Sequence, residues 1–404
     1  MPSVCFYFQV HQPIRLKQYS VFQMGIDHQY FDEKVNGDIM RKVANKCYIP
    51  ANKLMLDLIQ MHEGRFKISY SITGTAIEQM VKYSPEALDT FVALSKTGCV
   101  EFLSETYYHS LASLYSPEEF KKQVTQHSDL MFQLFNQRPK VFRNTELIYS
   151  DEIGALIEGM GYQGMIAEGA DDILGWRSPH FVYRRPSGNL GLLLKSYRLS
   201  DDVAFRFSSR AWNEWPLTAP KFASWVHRLS GNGQLVNLFM DYETFGEHQW
   251  ESTGIFDFMK ALPGEVMKNQ EWNFVTPSEA LNRYSPTAEL SYPRLVSWAD
   301  EDRSITAWRG NNMQTSALQQ LFELQREVYL KNNPSTLDLW RKLQTSDHFY
   351  YMCTKWFADG DVHAYFNHYK SPYEAFINFM NVLNDFRESV LGERPSSASS
   401  LPPI

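Results

Sequence analysis

Short apolar runs recur along the first two-thirds of the chain, at residues 4–10, 68–72, 100–103, 141–142, 165–167, 192–194, 235–240 and 274–275, with longer stretches of helical periodicity between them. That alternation predicts parallel strands joined by crossover helices, because a parallel pair needs a connection long enough to hold a helix. Ser116-Pro117-Glu118-Glu119 and Thr276-Pro277-Ser278-Glu279 mark two helix starts, with a hydroxyl at the N-cap, proline at the first helical position and glutamate at the third. Beyond about residue 300 the strand-like runs stop. Leu318, Leu321, Leu324 and Val328, then Tyr373, Phe376, Ile377, Met380 and Leu383, recur at helical spacing, and Ser371-Pro372-Tyr373-Glu374 repeats the capping signal. The pattern predicts an α/β domain over residues 1–285, a helical domain over 286–391 and a disordered tail over 392–404, rich in Ser and Pro. No internal repeat is evident.

A chain of 404 residues suits one large domain with an appendage better than two equal halves. The net charge of −7 disfavours nucleic acid or an anionic membrane as partner and suits a neutral substrate. Aromatic residues make up 15%, with ten Trp and 22 Tyr, which fits a sugar-binding groove and a large aromatic core equally well. Cys5, Cys47, Cys99 and Cys353 lie far apart without a CxxC pair, so reduced, buried thiols are expected rather than a zinc knot or a disulfide framework. The first residues lack a basic, then apolar, leader pattern and no run of about 18 apolar residues occurs, so a cytoplasmic location is expected. Oligomeric state is left open.

In a β/α barrel the reacting groups project from the C-terminal ends of the strands, where the loops form the open mouth. The run at 4–10 leads into His11, that at 100–103 into Glu105 and His109, that at 141–142 into Arg143 and Glu146, and that at 235–240 into Asp241, Glu243, Glu247 and His248. Cleaving a glycosidic bond needs two carboxyl groups, one to protonate the departing oxygen and one to attack the anomeric carbon or activate water. Glu146 and Asp241 sit at two such ends. Either could instead cap a helix, and Glu105, Glu243 and Glu247 could be structural or sugar-binding, so spacing alone does not choose the pair. His11 could be a metal ligand, a substrate donor or a satisfied core residue, and His109 and His248 face the same choice. The segments carry no HxxH, HxxxH or HxD spacing, which disfavours zinc.

These segments resemble the short regions by which glycoside hydrolase family 57 is recognised: FQVHQP at 8–13, VEFLSETYYHSL at 100–111, FRNTELIY at 142–149, MDYETFGEH at 240–248 and EWNFVTPSEAL at 271–281. The wording of the second and fourth, and SWADEDRSITAWRGN at 297–311, is similar to the α-amylase-type branch. The resemblance implies a distorted (β/α)7 barrel followed by a C-terminal helical domain, acting on an α-glucan or maltooligosaccharide with retention of configuration, and with no metal or cofactor. Matched residue by residue, Glu146 takes the place of the nucleophile and Asp241 that of the acid/base. His11, Glu105, His109, Glu243 and Trp272 match substrate-contacting positions, joined by Arg143, Trp176, His248, Trp298, Asp300 and Trp308. Trp212 and Trp215 are further candidates for stacking on sugar rings. Retention calls for carboxyl groups roughly 5 to 5.5 Å apart. A raised pKa is expected for Asp241, and Arg143 is a candidate for keeping Glu146 ionised. A 4-α-glucanotransferase or branching enzyme of the same fold, a non-catalytic α-glucan-binding protein, and a metal-dependent carbohydrate hydrolase or deacetylase are the rival readings.

Overall fold

A strand covered on both faces carries a continuous apolar run. β1 (Ser3–Val10) is such a strand, buried at every residue. The computed structural model describes residues 2–299, 301–355 and 367–392. After β1 come β2 (Ile68–Ile72), β3 (Val100–Phe102), β4 (Val141–Arg143), β5 (Gly164–Glu168), β6 (Tyr183–Arg184), β7 (Gly191–Lys195), β8 (Leu235–Asp241) and β9 (Asn273–Phe274). Two strand ends differ from the apolar runs in a way that matters. Arg143 and Asp241 are themselves the last strand residues, polar groups admitted because each faces the mouth.

β1 lies at the centre, parallel to β2 from Phe6↔Ile68 to Val10↔Ile72 and to β8 from Ser3↔Leu235 to Gln9↔Asp241. The sheet runs on from β2 to β3 and from β4 through β5 to β7, all parallel. Two narrow seams join these parts. At one, Ser104 N–H donates to Val141 O (3.0 Å) and Arg143 N–H to Ser104 O (2.8 Å). At the other, Ser196 N–H donates to Asn237 O (2.9 Å) and the Asn237 amide to Leu194 O (2.8 Å). β1, β2, β3, β4, β5, β7 and β8 thus form the distorted (β/α)7 barrel. The short β6 pairs antiparallel with β7 and was not legible as an apolar run, while β9 pairs with the first residues of β1.

Side chains alternate across β1 as the pleat requires: Phe6, Phe8 and Val10 pack outward against helices, and Cys5 and Tyr7 fill the interior with Leu103, Val141, Ile166, Leu193 and Phe239. The C-terminal helices share an apolar cluster with β4, β5 and β7, in which Leu318, Leu321, Leu324 and Val328 meet Phe142, Met165 and Leu192. The last helix, Pro372–Leu391, is rotated slightly from the stripe its spacing predicts: Leu383 is buried and Phe376 and Met380 pack against the core as expected. Tyr373 and Ile377 are exposed, whereas Ala375, Phe379, Val382 and Phe386 are buried. The capping signals form as read: Ser116 and Ser371 accept the N–H groups of Glu119 and Glu374 (both 3.2 Å), and Thr276 with Glu279 makes a reciprocal capping box. All four cysteines are free and buried. Among the described residues no helix is long and apolar enough to cross a membrane. The tail expected over 392–404 lies, from 393 onward, outside the described residues.

Candidate active site

A pocket opens where the barrel strands end, lined by residues of β1, β4 and β8 and of the loops that follow them. Glu146 lines it from the loop after β4 and Asp241 from the end of β8. The two carboxyl groups therefore meet in one cavity although they are remote in sequence.

On the β4 side each group is held by its neighbours. Glu146 and Leu147 both have positive φ, 56° and 52°, a conformation that costs a non-glycine residue about 1–3 kcal/mol and tends to collect at functional sites. The turn is pinned from outside the barrel: Tyr149 and Val296 exchange backbone hydrogen bonds of 2.9 Å, and Trp298 N–H donates to Glu146 O (3.3 Å). This pairing carries Trp298 over the carboxylate, where its indole Nε1–H donates to Glu146 Oε2 (2.8 Å). The other oxygen, Oε1, lies 3.1 Å from His109 Nε2, while His109 Nδ1 lies 3.2 Å from Glu105 Oε2. Burial alone would suppress a charge on His109, but the hydrogen bonds to Glu105 and Glu146 prevail and raise it to about 9. Burial also works against ionisation of Glu105. There the hydrogen bond and charge of His109, with Arg143, win and bring it down to about 2. His109 is therefore an imidazolium donating from both nitrogens. Behind Trp298 a second layer fixes the ring: the Arg143 guanidinium and the Lys195 ammonium lie 5.0 and 5.2 Å from its centroid, and Arg303 donates to its carbonyl (2.6 Å).

On the β8 side Asp241 pairs in register with Gln9 of β1. Glu243 follows it in a short 3₁₀ turn and is buried. Burial, and then the charge of Asp241, push Glu243 up to about 8. Its hydrogen-bond partners are neutral, the Tyr48 hydroxyl and the Gln12 amide (3.4 Å).

His11 joins the barrel to the C-terminal helices. Its ring stacks on His109 with centroids 3.9 Å apart, and burial and the His109 charge lower its pKa. A neutral His11 must donate from Nε2, because its partner there is the acceptor Asp347 Oδ2 (2.9 Å), leaving Nδ1 to accept from Thr73 Oγ1 (3.0 Å). Asp347 stands on the short helix Ser346–Tyr350. That segment is fastened to the loop carrying His109, as Ser346 N–H donates to His109 O (2.9 Å) and the Thr345 hydroxyl to Tyr108 O (2.9 Å).

His11, His109, Arg143, Glu243, His248 and Trp298 thus share the pocket with Glu146 and Asp241. Other expected site residues do not. Glu105 is wholly buried beneath the pocket and touches it through three lining residues, His109, Gln9, whose amide donates to Glu105 Oε1 (3.2 Å), and Arg143. Trp272 precedes β9, which pairs with the first residues of β1, so it belongs to the opposite end of the barrel; it is buried there, donating to Ser230 Oγ (2.9 Å). Trp308 is core, packed beside Tyr350. Trp176 is 89% exposed under Arg177, outside the pocket. Trp212 packs on Trp225, Trp215 is partly exposed, and neither lines the pocket. Asp300 lies outside the described residues. Arg143 does line the pocket, yet the ion pair it makes runs to Glu105 Oε2 (3.8 Å) rather than to Glu146. Asp347, Gln9 and Tyr48 escaped the sequence reading: Asp347 reads as an ordinary helix-start residue and the other two lie inside an apolar strand and a helix. Among the described residues no group of three His, Cys, Asp or Glu side chains could hold a metal ion.

A sequence model described as glycosyl hydrolase family 57 matches residues 5–296. A Methanocaldococcus jannaschii protein provisionally named an alpha-amylase is 42% identical over 398 residues, covering 95% of this chain and 84% of its own. Among solved structures, a family 57 branching enzyme from Thermococcus kodakaraensis superposes with a TM-score of 0.68 at 13% identity, covering 98% of this chain and 92% of its own. The 4-α-glucanotransferase of Thermococcus litoralis gives 0.68 at 14% identity over 96% of this chain, which spans 60% of that longer protein. An α-amylase from Thermotoga maritima gives 0.64 at 12% identity, covering 98% and 94%.

Proposed function

From the premise that the chain belongs to glycosyl hydrolase family 57, and is a glycoside hydrolase, we propose that it cleaves α-1,4-glucosidic bonds of an α-glucan by double displacement, with Glu146 as nucleophile and Asp241 as acid/base. The observation that carries this reading is the grip on Glu146: both its oxygens face hydrogen-bond donors, His109 Nε2 and Trp298 Nε1, in a pocket whose other side is Asp241. Donors of this kind, one of them cationic, favour the carboxylate form and fix its direction of attack.

In the first step Glu146 bonds to the anomeric carbon as Asp241 gives its proton to the departing glycosidic oxygen. In the second, Asp241 takes a proton from water, which displaces Glu146 and frees the sugar. Burial, and then the charge of Asp241, push the neighbouring Glu243 up to about 8, so near neutral pH Glu243 adds no second negative charge beside the acid/base. The name of the 42% identical relative favours an amylase among the α-glucan activities. Incubation with maltoheptaose tests the reading. Only shorter maltooligosaccharides are expected, and Glu146→Gln should reduce kcat by on the order of 10⁴-fold or more, the scale of losing the nucleophile of a catalytic unit. Longer chains among the products would make the protein a transferase, and undiminished turnover by the variant would remove Glu146 from the chemistry.

A further inference from the structure

The loop that brings Glu243 and His248 to the active-site pocket has a second face. Gly246, at φ 111°, packs so closely on the neighbouring turn that a Cβ there would lie 2.0 Å from the Lys46 carbonyl oxygen. Beyond that contact lies a separate, open cavity of about 560 Å³, bounded by residues 45–54 and by the start of the helix Ile255–Met267. Its aromatic residues are Trp250, 55% exposed, and Phe256. Its charged residues are Lys46 and Lys260 against Glu251 and Asp257, which balance.

A single exposed indole is unremarkable on a protein surface, but this one is in a concavity and is fixed there, with the Lys46 ammonium 5.4 Å from its ring centroid. Balanced charge gives neither an anion nor a cation a net advantage. A neutral ring with an apolar C–H face and a rim of hydroxyls matches what is present: an aromatic surface to lie on, and carboxylates, ammonium groups and the Asn45 amide to hydrogen-bond. Residues 243–250 are the common wall of both cavities, so a polymer caught in one is held close to the other.

We propose that this cavity is a second α-glucan-binding site, which retains polymeric substrate beside the catalytic pocket and takes no part in bond cleavage. The proposal rests on the α-glucan reading of the catalytic pocket, and its test separates the two. Maltoheptaose is titrated calorimetrically into Glu146→Gln protein and into the same protein carrying Trp250→Ala. Two equivalents are expected to bind the first and one the second. In the otherwise native enzyme Trp250→Ala should raise KM for amylopectin severalfold and leave the turnover of maltotriose unchanged. Asp257→Ala with Lys260→Ala, both on exposed positions, should weaken the second equivalent in the same way, and this pair carries the test should Trp250→Ala fail to fold. A single equivalent that neither change alters would overturn the second site while leaving the catalytic reading intact. No binding at all, with native protein inert on α-glucans, would sink the catalytic reading and the second site with it.

Discussion

Glu105 and Glu243 flank the same pocket from opposite sides, are both buried, and differ in acidity by several powers of ten. Glu105, below the β4 wall, is brought to about 2; Glu243, on the β8 wall, is pushed to about 8. Burial opposes the charge in both, so burial does not distinguish them. What differs is the company. Glu105 lies against the imidazolium of His109 and the guanidinium of Arg143, whereas Glu243 meets a phenol, an amide and the like charge of Asp241. One wall is thus built to keep carboxylates ionised and the other to keep a proton within reach, the division of labour that a two-carboxylate mechanism needs.

Replacing His109 is the largest blow to this contrast. His109→Ala removes the cation that links Glu105 to Glu146, and kcat should fall by roughly 10² to 10³-fold, the scale of losing a preorganised electrostatic donor. The native pH profile should carry an alkaline limb near 9 that the variant lacks; identical profiles would show that the imidazolium does not matter. The same group couples to stability. Its folded pKa of about 9 exceeds the ordinary 6.5, so its contribution is complete below pH 6.5 and is lost as pH rises towards 9. Melting temperatures across that window should therefore decline more steeply in native protein than in the variant.

Trp298→Phe keeps a ring between Arg143 and Lys195 but deletes the donor to Glu146 Oε2. A hydrogen bond to a charged group contributes about 1.5–3 kcal/mol, so kcat should drop by roughly 10 to 100-fold with KM little changed. A change confined to KM would make the indole a substrate platform instead.

Glu243→Gln imitates the protonated side chain and should be the mildest change, within roughly threefold of native activity at pH 6 by the isosteric match. The unfolded chain ionises this glutamate near 4.5 while the folded one holds its proton to about 8. Its burial therefore costs progressively more stability as pH climbs from 4.5 to 8. Denaturant titrations at pH 5 and pH 8 should show a smaller difference in the variant; an unchanged difference would contradict the neutral-wall account.

Much of the β8 and β4 walls is legible in the chain because chemistry follows directly on an apolar run, as Asp241 follows Met240 and Glu146 follows Phe142 at a short interval. The same rule, applied strictly, places Trp272 at the wrong end, since it comes before its strand rather than after it. Trp308 and Trp176 show a different blind spot. Sequence gives their chemistry but not their depth, and one is core while the other is bare. Asp347 had no signal at all: its place beside His11 depends on how the C-terminal helices dock on the His109 loop, a long-range outcome of packing that local pattern does not encode.

That docking has a bearing on biosynthesis. The barrel strands and the proposed catalytic pair all precede Trp298 and Asp347 in the chain, so a growing polypeptide carries both carboxylates before the residues that hold Glu146 and His11 have been made. A chain that stops ahead of Ser346 lacks the aspartate that orients His11. Onset of activity is thereby tied to synthesis of Asp347, the partner of His11.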